Sequence, residues 1–465
     1  VDGIEVTTVP RVLIAGTGSG CGKTMVTCGV LGALSNRKIH QRAFKCGPDY
    51  IDPMFHTKVL GVPSRNLDSF LCGDEVVKFL FSKNCPSYSI GVIEGVMGYY
   101  DGLSGTSTTE STHHIAQLLN APVILVVDCK GKSLSLAAEL QGYQKFAPNR
   151  IAGVILNRAN SHNFSMYRRI VEEYSGLPVL GYLPLLPEVS VGSRHLGLVT
   201  AGEIKDLRQK MDILASQTEE NIDIDLLLRI AAEAGPLSYE PQEIIRQPVT
   251  LPIAVARDSA FCFYYQDSLD LLSSMGAKLI PFSPLTDEAL PEGVCGLLLG
   301  GGYPELYARS LSFNRTMLED IAVKVREGLP TIAECGGFML LCKEMITSDG
   351  EAHRMSGAVE AIVRMGTKLS RFGYARLSAR KDNLLAKSGE ELFIHEFHYS
   401  DADATGDSYV AEKPNGRRWD CVHSGENLFA GYPHLHMWGN RTAALRFMER
   451  CGHYYAAFSD SSGSI

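Results

Sequence analysis

The sequence predicts an α/β fold built as two α/β domains in series. Three observations predict it. Short apolar runs alternate with helical patterns through the first half, the alternation restarts after a proline-bearing stretch, and 465 residues are too many for one ordinary core. Apolar residues at 45% and charged residues at 21% are average globular usage, so a real core is available and global disorder is excluded. The net charge of −8 argues against a broad nucleic-acid or polybasic membrane surface, and neither partner is expected. It does not bear on a local anion site, because backbone N–H groups hold phosphate without net positive charge.

In the first half, Arg11–Ala15, Ile90–Ile93, Val123–Val127 and Ile151–Leu156 are short, rich in β-branched residues and followed by Gly, Asp or Asn. Enough residues separate them for crossover helices, the pattern of buried parallel strands. The periodicity weakens over roughly 215–250. The stretch Pro236–Leu251 carries three prolines and several charges and reads as a linker. A second alternation runs through Ile253–Ala256, Ala277–Ile280, Gly296–Leu299 and Thr331–Ala333, with a later strand at Phe393–Tyr399. The expected division is a domain over 1–240, a linker over 236–251 and a domain over 250–465.

The first residues, VDGIEVTTVPRVLIAG, hold a short apolar run followed by glycines and do not read as a secretory signal. No run approaches the ~18 apolar residues of a membrane-spanning helix. The 12 cysteines are scattered singly with no paired CxxC motifs, so they read as reduced thiols of a cytoplasmic protein.

Between the first strand and a helix expected over Met25–Leu34 lies Gly16-Thr17-Gly18-Ser19-Gly20-Cys21-Gly22-Lys23-Thr24. Strand, glycine-rich loop and helix in that order are the context of a phosphate-binding P-loop. Gly18, Gly20 and Gly22 let the backbone wrap around phosphates at the positive end of the helix. Lys23 would reach the β- and γ-phosphates, and Thr24 a Mg²⁺ ion. The first glycine of the common pattern falls one residue early, at Gly16, which resembles the form found in dethiobiotin synthetase. An ATP site that does chemistry needs carboxylates for its metal. Asp49 and Asp52 stand at i, i+3 in a Gly/Pro-bounded loop, and Glu94 ends a strand. Each alone is equally a turn or cap residue; their joint occurrence with the P-loop favours the metal. Asp101 is a weaker candidate for substrate or metal. Asn157, at another strand end, is a candidate contact to adenine, and Arg194–Leu198 to anionic substrate or nucleotide; an ordinary loop role is the alternative for both.

Thr331–Met339 runs from a strand into a helix through Ala333-Glu334-Cys335-Gly336-Gly337, a nucleophile elbow with small flanking residues. The helix N-terminus is expected to favour the thiolate of Cys335. The Gly336 amide, with Gly301 and Gly302 from a second glycine turn, is expected to hold an oxyanion. The base is sought at His434-Leu435-His436, where an extended chain would put both imidazoles on one face, one taking the thiol proton and the other buttressing it. His395-Glu396-Phe397-His398 is the rival.

At these residues the chain resembles the cobyrinic and hydrogenobyrinic acid a,c-diamide synthases. The resemblance covers nearly the whole chain, including Gly16–Thr24, Gly47–Pro53, Glu94–Gly102, Arg194–Leu198, Arg257–Tyr265, Gly300–Leu306, Ala333–Phe338, Glu396–Ser400 and Tyr432–His436. It implies an N-terminal P-loop domain of dethiobiotin synthetase type and a C-terminal, flavodoxin-like class I glutamine amidotransferase domain. It implies Cys335 as glutaminase nucleophile and His434 as its base. Class I members usually carry Glu two positions after that His; here, as in this subfamily, the position is His436. The implied reaction is ATP- and glutamine-dependent amidation of the a and c acetates of cobyrinate or hydrogenobyrinate, with Mg²⁺. The implied partners are ATP, L-glutamine and a corrinoid or other tetrapyrrole carboxylate, and a homodimer is compatible with it. Two other readings stay open: the sister enzyme acting on Ni-sirohydrochlorin, and a P-loop switch ATPase with a non-catalytic amidotransferase module.

Overall fold

The computed structural model describes residues 3–189 and 201–462. The chain forms two compact units, one of Val1–Ser69 with Gly73–Gln242, the other of Phe70–Cys72 with Glu243–Ile465.

The first unit is built on a seven-stranded parallel sheet. From edge to edge its strands are Ser64–Leu67, Gln41–Cys46, Ile90–Glu94, Arg11–Gly16, Val123–Asp128, Ile151–Asn157 and Val179–Leu183. The four strands expected from the apolar runs are present, each one residue longer at its carboxyl end. Those extra residues are Gly16, Glu94, Asp128 and Asn157, three of them polar, which is why the apolar pattern stops short of them. The helix Lys23–Asn36 packs closely on the helix Ala201–Asn221: a Cβ at Gly29 would lie 2.2 Å from Thr218 Oγ1, and one at Gly32 2.7 Å from Ala215 Cβ. Only residues lacking a side chain let the two axes come this near. The weak periodicity expected after 215 is instead the end of this helix followed by Ile224–Ala232, which buries Ile224, Leu227, Ile230 and Ala231. Inside the expected linker, Leu237–Tyr239 pairs antiparallel with Glu5–Thr7.

The second unit is built on a six-stranded sheet in the order Ala277–Phe282, Leu251–Ala256, Gly296–Leu299, Thr331–Glu334, Leu428–Gly431, His423–Ser424. All pairings are parallel except that of the last strand. A five-stranded antiparallel sheet contains Arg371–Ala379, Glu391–His398 and the two-residue strand His434–Leu435. In each unit, the loops after the carboxyl ends of central strands carry the chemically suggestive residues, as open parallel sheets dictate.

Candidate active sites

In the first unit, the strand Arg11–Gly16 lies between Ile90–Glu94 and Val123–Asp128, so its loop is held from both sides. Gly16 O accepts from Tyr99 N at 2.9 Å, and Thr17 N donates to Val126 O at 3.3 Å. The loop turns into the helix at Gly22, whose φ of 100° favours glycine. A Cβ there would sit 2.0 Å from Asn157 Nδ2. Asn157 donates to Cys21 O at 2.8 Å, Arg158 to Gly20 O at 3.0 Å, and the Tyr143 hydroxyl to Thr17 O at 2.6 Å. Asn157 thus braces the loop through its amide nitrogen, a role the search for an adenine contact missed. The Lys23 ammonium donates to Gly18 O at 2.9 Å and to Met97 O. Burial pulls its pKa below the ordinary lysine value, helped by the Lys45 charge and opposed by Cys21 and Glu94.

Beside the loop, Thr24 Oγ1 donates to Glu94 Oε1 at 2.6 Å. The same carboxylate oxygen accepts from Lys45 Nζ at 2.8 Å, and Lys45 also pairs with Asp52 at 2.5 Å. His56 Nε2 stands 3.3 Å from Glu94 Oε2, an oxygen that is buried without a hydrogen-bond partner. Burial works against charge on Lys45, yet Glu94, Asp52 and Asp49 outweigh it and hold the ammonium well above its ordinary pKa. Burial likewise pushes Glu94 up, but Lys45 and then His56 reverse the sign and hold it well below the carboxylate range. For Asp52, burial and Glu94 together win over Lys45, and its pKa is raised. Asp49 is placed differently. Its Oδ1 accepts from Ile51 N at 2.7 Å and Asp52 N at 3.3 Å, so it holds the first amides of the helix Ile51–Lys58 from two residues upstream, at the edge of the cluster. Asp101 is exposed and accepts from Gly98 N at 2.9 Å, closing the turn after Glu94.

Among the described residues no group of three or more His, Cys, Asp or Glu side chains is placed to hold a metal by itself. The oxygens of Thr24, Asp52 and Glu94, one of them unpartnered, fit a Mg²⁺ ion that takes few protein ligands and completes its shell with phosphate and water.

In the second unit, Cys335 follows the strand Thr331–Glu334 with φ 47° and ψ −99°, a strained turn that leads into the helix Gly336–Leu341. Contact excludes a side chain at Gly337, where a Cβ would meet Leu299 O at 2.1 Å; at Gly336 the space is tight, a Cβ lying 3.2 Å from Gly302 N. Gly302 N thus lies close to the Gly336 backbone, and both amides are candidates for holding an oxyanion. Gly301 lies against His434: a Cβ there would be 2.6 Å from His434 Cε1. The parallel pairing of Glu334 with Gly431, and the 2.7 Å bond from Cys335 N to Gly431 O, bring the strand that leads to Cys335 beside the strand that leads to His434.

Two expectations change here. The Cys335 thiol is not lowered by its helix. Burial pushes its pKa well up, with Glu305 and Glu396 adding to the rise, and the Gly336 N–H opposes too weakly. A six-residue helix cannot offset that burial. The second concerns His436, which lies one residue past the strand that ends at Leu435. Its ring centroid is 4.8 Å from that of Tyr265, both its nitrogens are buried without a hydrogen-bond partner, and burial pushes its pKa down to about 3. Glu334 meets His434, with Oε2 3.4 Å from His434 Nδ1 and Oε1 accepting from Leu435 N at 3.2 Å. In the rival motif, His395 is opposite His434 in the paired strand, and burial, then His434, pushes its pKa down to about 3.

Residues 12–199 match the model of the CobQ/CobB/MinD/ParA nucleotide binding domain, and residues 252–442 that of the CobB/CobQ-like glutamine amidotransferase domain. Proteins named cobyrinate a,c-diamide synthase are similar along nearly the whole chain. The one from Caldanaerobacter subterraneus is 40% identical over 95% of this chain and 98% of its own. Those from Listeria monocytogenes and Salmonella typhimurium are 41% and 42% identical, over 92% and 91% of this chain and 97% and 94% of theirs. The chain belongs to the cobyrinate a,c-diamide synthase family. Among solved structures, PurLQS from Thermotoga maritima matches with a TM-score of 0.29 and 14% identity over 44% of this chain and 98% of that chain, which carries no argument.

Sequence reasoning missed three functional candidates in this diamide synthase family member. Lys45 was legible as a lysine near the carboxyl end of a strand, just before Gly47-Pro48-Asp49. His56 lies one helical turn beyond Asp52, on the same helix. Glu334 was counted only as part of the elbow. Arg194–Leu198 lies outside the described residues. No described helix is long and apolar enough to cross a membrane.

Proposed function

We propose that the chain is an ATP- and glutamine-dependent ligase that amidates the a and c acetate carboxylates of cobyrinate. The observation that carries the reading is the presence of two separately built sites, a braced P-loop with a carboxylate–lysine cluster and a strained cysteine elbow with a buried histidine, in a chain whose full-length relatives are named for that reaction.

A carboxylate is a poor acyl donor, and transfer of the γ-phosphoryl group of ATP to it gives an acyl phosphate and ADP. Gly18, Gly20, Gly22 and Lys23 bind the phosphates, and Thr24, Asp52 and Glu94 are the residues that would hold Mg²⁺. When bound, Mg²⁺ supplies positive charge to the phosphate oxygens. Lys45 keeps Glu94 ionised and balances the two carboxylates. Asp49 fixes the loop that presents Asp52, and Asp101 shapes the turn facing the same strand end. In the second unit, His434 takes the Cys335 proton. The thiolate attacks the side-chain amide of glutamine, and the amides of Gly302 and Gly336 bind the resulting oxyanion. The proton passes from His434 to the leaving ammonia, and water then hydrolyses the thioester to glutamate. Because burial raises the thiol pKa, Cys335 needs this base. The ammonia displaces phosphate from the acyl phosphate and forms the amide. All twelve cysteines are free, as suits the reducing cytoplasm in which we place this enzyme.

Replacing Cys335 with Ala tests the division of labour. Glutamine-dependent amidation is expected to vanish while ammonia-dependent amidation persists. Equal loss with both nitrogen sources in a folded variant overturns it.

A further inference from the structure

A histidine base works only when its other ring nitrogen is held, because that bond fixes the tautomer and offsets the charge of the imidazolium. The position from which class I amidotransferases usually supply a carboxylate is occupied here by His436. That imidazole is buried, makes no hydrogen bond through either nitrogen, and lies against Tyr265. Its carbonyl is taken up by the turn that follows, accepting from Gly439 N at 3.1 Å and Asn440 N at 3.2 Å. A neutral imidazole with no partner neither holds His434 nor balances its charge.

The carboxylate comes from the other side of the site. Glu334 ends the strand Thr331–Glu334, and the left-handed turn at Cys335 separates its side-chain direction from that of the thiol. Its register with Gly431 in the parallel neighbour places it beside the chain entering His434. Each of its oxygens meets one of two consecutive residues: Oε1 accepts from Leu435 N at 3.2 Å, and Oε2 lies 3.4 Å from His434 Nδ1. The Glu334 side chain is 12% exposed and that of His434 2%. Next to Nδ1 in the ring, Cε1 faces Gly301, where a Cβ would lie 2.6 Å from it. The ring is thus held by a carboxylate at Nδ1 and a glycine beside Cε1. With Nδ1–H directed to Glu334, Nε2 is the nitrogen with the lone pair.

We infer that Glu334 is the positioning carboxylate of the glutaminase, fixing the orientation and tautomer of His434 from the residue immediately before the nucleophile. The inference rests on Cys335 being the glutaminase nucleophile. The elbow then supplies two functions from adjacent residues, the attacking thiol from Cys335 and the orienter from Glu334. Glu334 from the elbow strand and His395 from the paired strand face His434, and of this pair Glu334 is the one that supplies a negative charge.

The test uses the full chain. Glutamate release from glutamine and ammonia-dependent amidation are measured across pH for wild type, Glu334→Gln, Glu334→Asp and Cys335→Ala. In Glu334→Gln, kcat for glutamine is expected to fall ~100-fold or more with KM changed less than about threefold. With the neighbouring negative charge gone, the acid limb of kcat/KM for glutamine is expected to move to lower pH. Ammonia-dependent amidation is expected to stay within about twofold of wild type, and Glu334→Asp is expected to recover part of the glutamine rate. A Glu334→Gln enzyme with wild-type glutamine kinetics and an unmoved acid limb overturns the inference. So does loss of both nitrogen sources in Glu334→Gln and Glu334→Asp alike, the behaviour of a purely structural residue. Glutamine use surviving in Cys335→Ala would instead strike the underlying reading.

Discussion

Lys45 Nζ lies 2.8 Å from Glu94 Oε1, the oxygen that also accepts the Thr24 hydroxyl, and both ends of the pair are almost fully buried. A lysine thus neutralises the carboxylates at the P-loop. Removing one partner of such a pair leaves an uncompensated buried charge and costs about 3–5 kcal/mol. Lys45→Met is expected to lower the urea midpoint accordingly at pH 7, with millimolar Mg²⁺ restoring part of the loss. The pH dependence should also weaken. In wild type, Glu94 titrates below its unfolded value, so its contribution is present above about pH 4.5 and is lost as pH falls. Without Lys45, His56 and the Thr24 hydroxyl are left to oppose burial, the folded pKa moves up toward the unfolded one, and the variant should lose less stability as pH falls from about 5 to about 3. Urea midpoints across that range check this; parallel behaviour of the two proteins would contradict it.

Gly22→Ala places a Cβ 2.0 Å from the Asn157 amide at a residue with φ 100°. The loop must shift or Asn157 must release Cys21. Nucleotide affinity is expected to fall by at least tenfold, and amidation with glutamine and with ammonia should fall together at sub-saturating ATP. Calorimetric titration with a non-hydrolysable nucleotide is the check.

Gly336→Ala should behave oppositely. Its Cβ would lie 3.2 Å from Gly302 N and 3.0 Å from Pro304 Cδ, crowding the donors proposed for the oxyanion. Loss of one such donor costs ~10²-fold or more in rate. Glutamine hydrolysis is expected to drop by that order while ammonia-dependent amidation persists.

His436 gives a stability prediction. Burial pushes its pKa from 6.5 to about 3, so the unfolded chain binds the extra proton between those values and stability rises with pH through that window. The contribution is complete above about pH 6.5. His436→Phe, which keeps an aromatic ring beside Tyr265, should flatten the dependence by a few kcal/mol between pH 6.5 and 4. Urea midpoints across that range measure it, and an unchanged slope would refute the assignment.

The parallel strands were legible where apolar β-branched residues fill them, as in Val123–Asp128. Gln41–Cys46 was not, because Gln41, Arg42 and Lys45 interrupt the pattern. The structure pairs the Gln41 amide nitrogen with Leu31 O and the Ser35 hydroxyl, and Lys45 with carboxylates, partners that a linear reading does not see. Glycine motifs were legible because close approach and positive φ leave few alternatives to glycine. The residues that brace these motifs from elsewhere in the chain were not. Asn157 beneath Cys21 and Glu334 beneath His434 act through contacts between residues more than ninety positions apart. The paired-histidine expectation assumed an extended chain, and the strand stops at Leu435.

The most direct test incubates the protein with cobyrinate, Mg-ATP and glutamine labelled with ¹⁵N in the side-chain amide, and follows the product by mass spectrometry. The account predicts a diamide carrying two ¹⁵N atoms, with one ADP released per amide formed. Ni-sirohydrochlorin amidated in a parallel reaction while cobyrinate is left unchanged would contradict it.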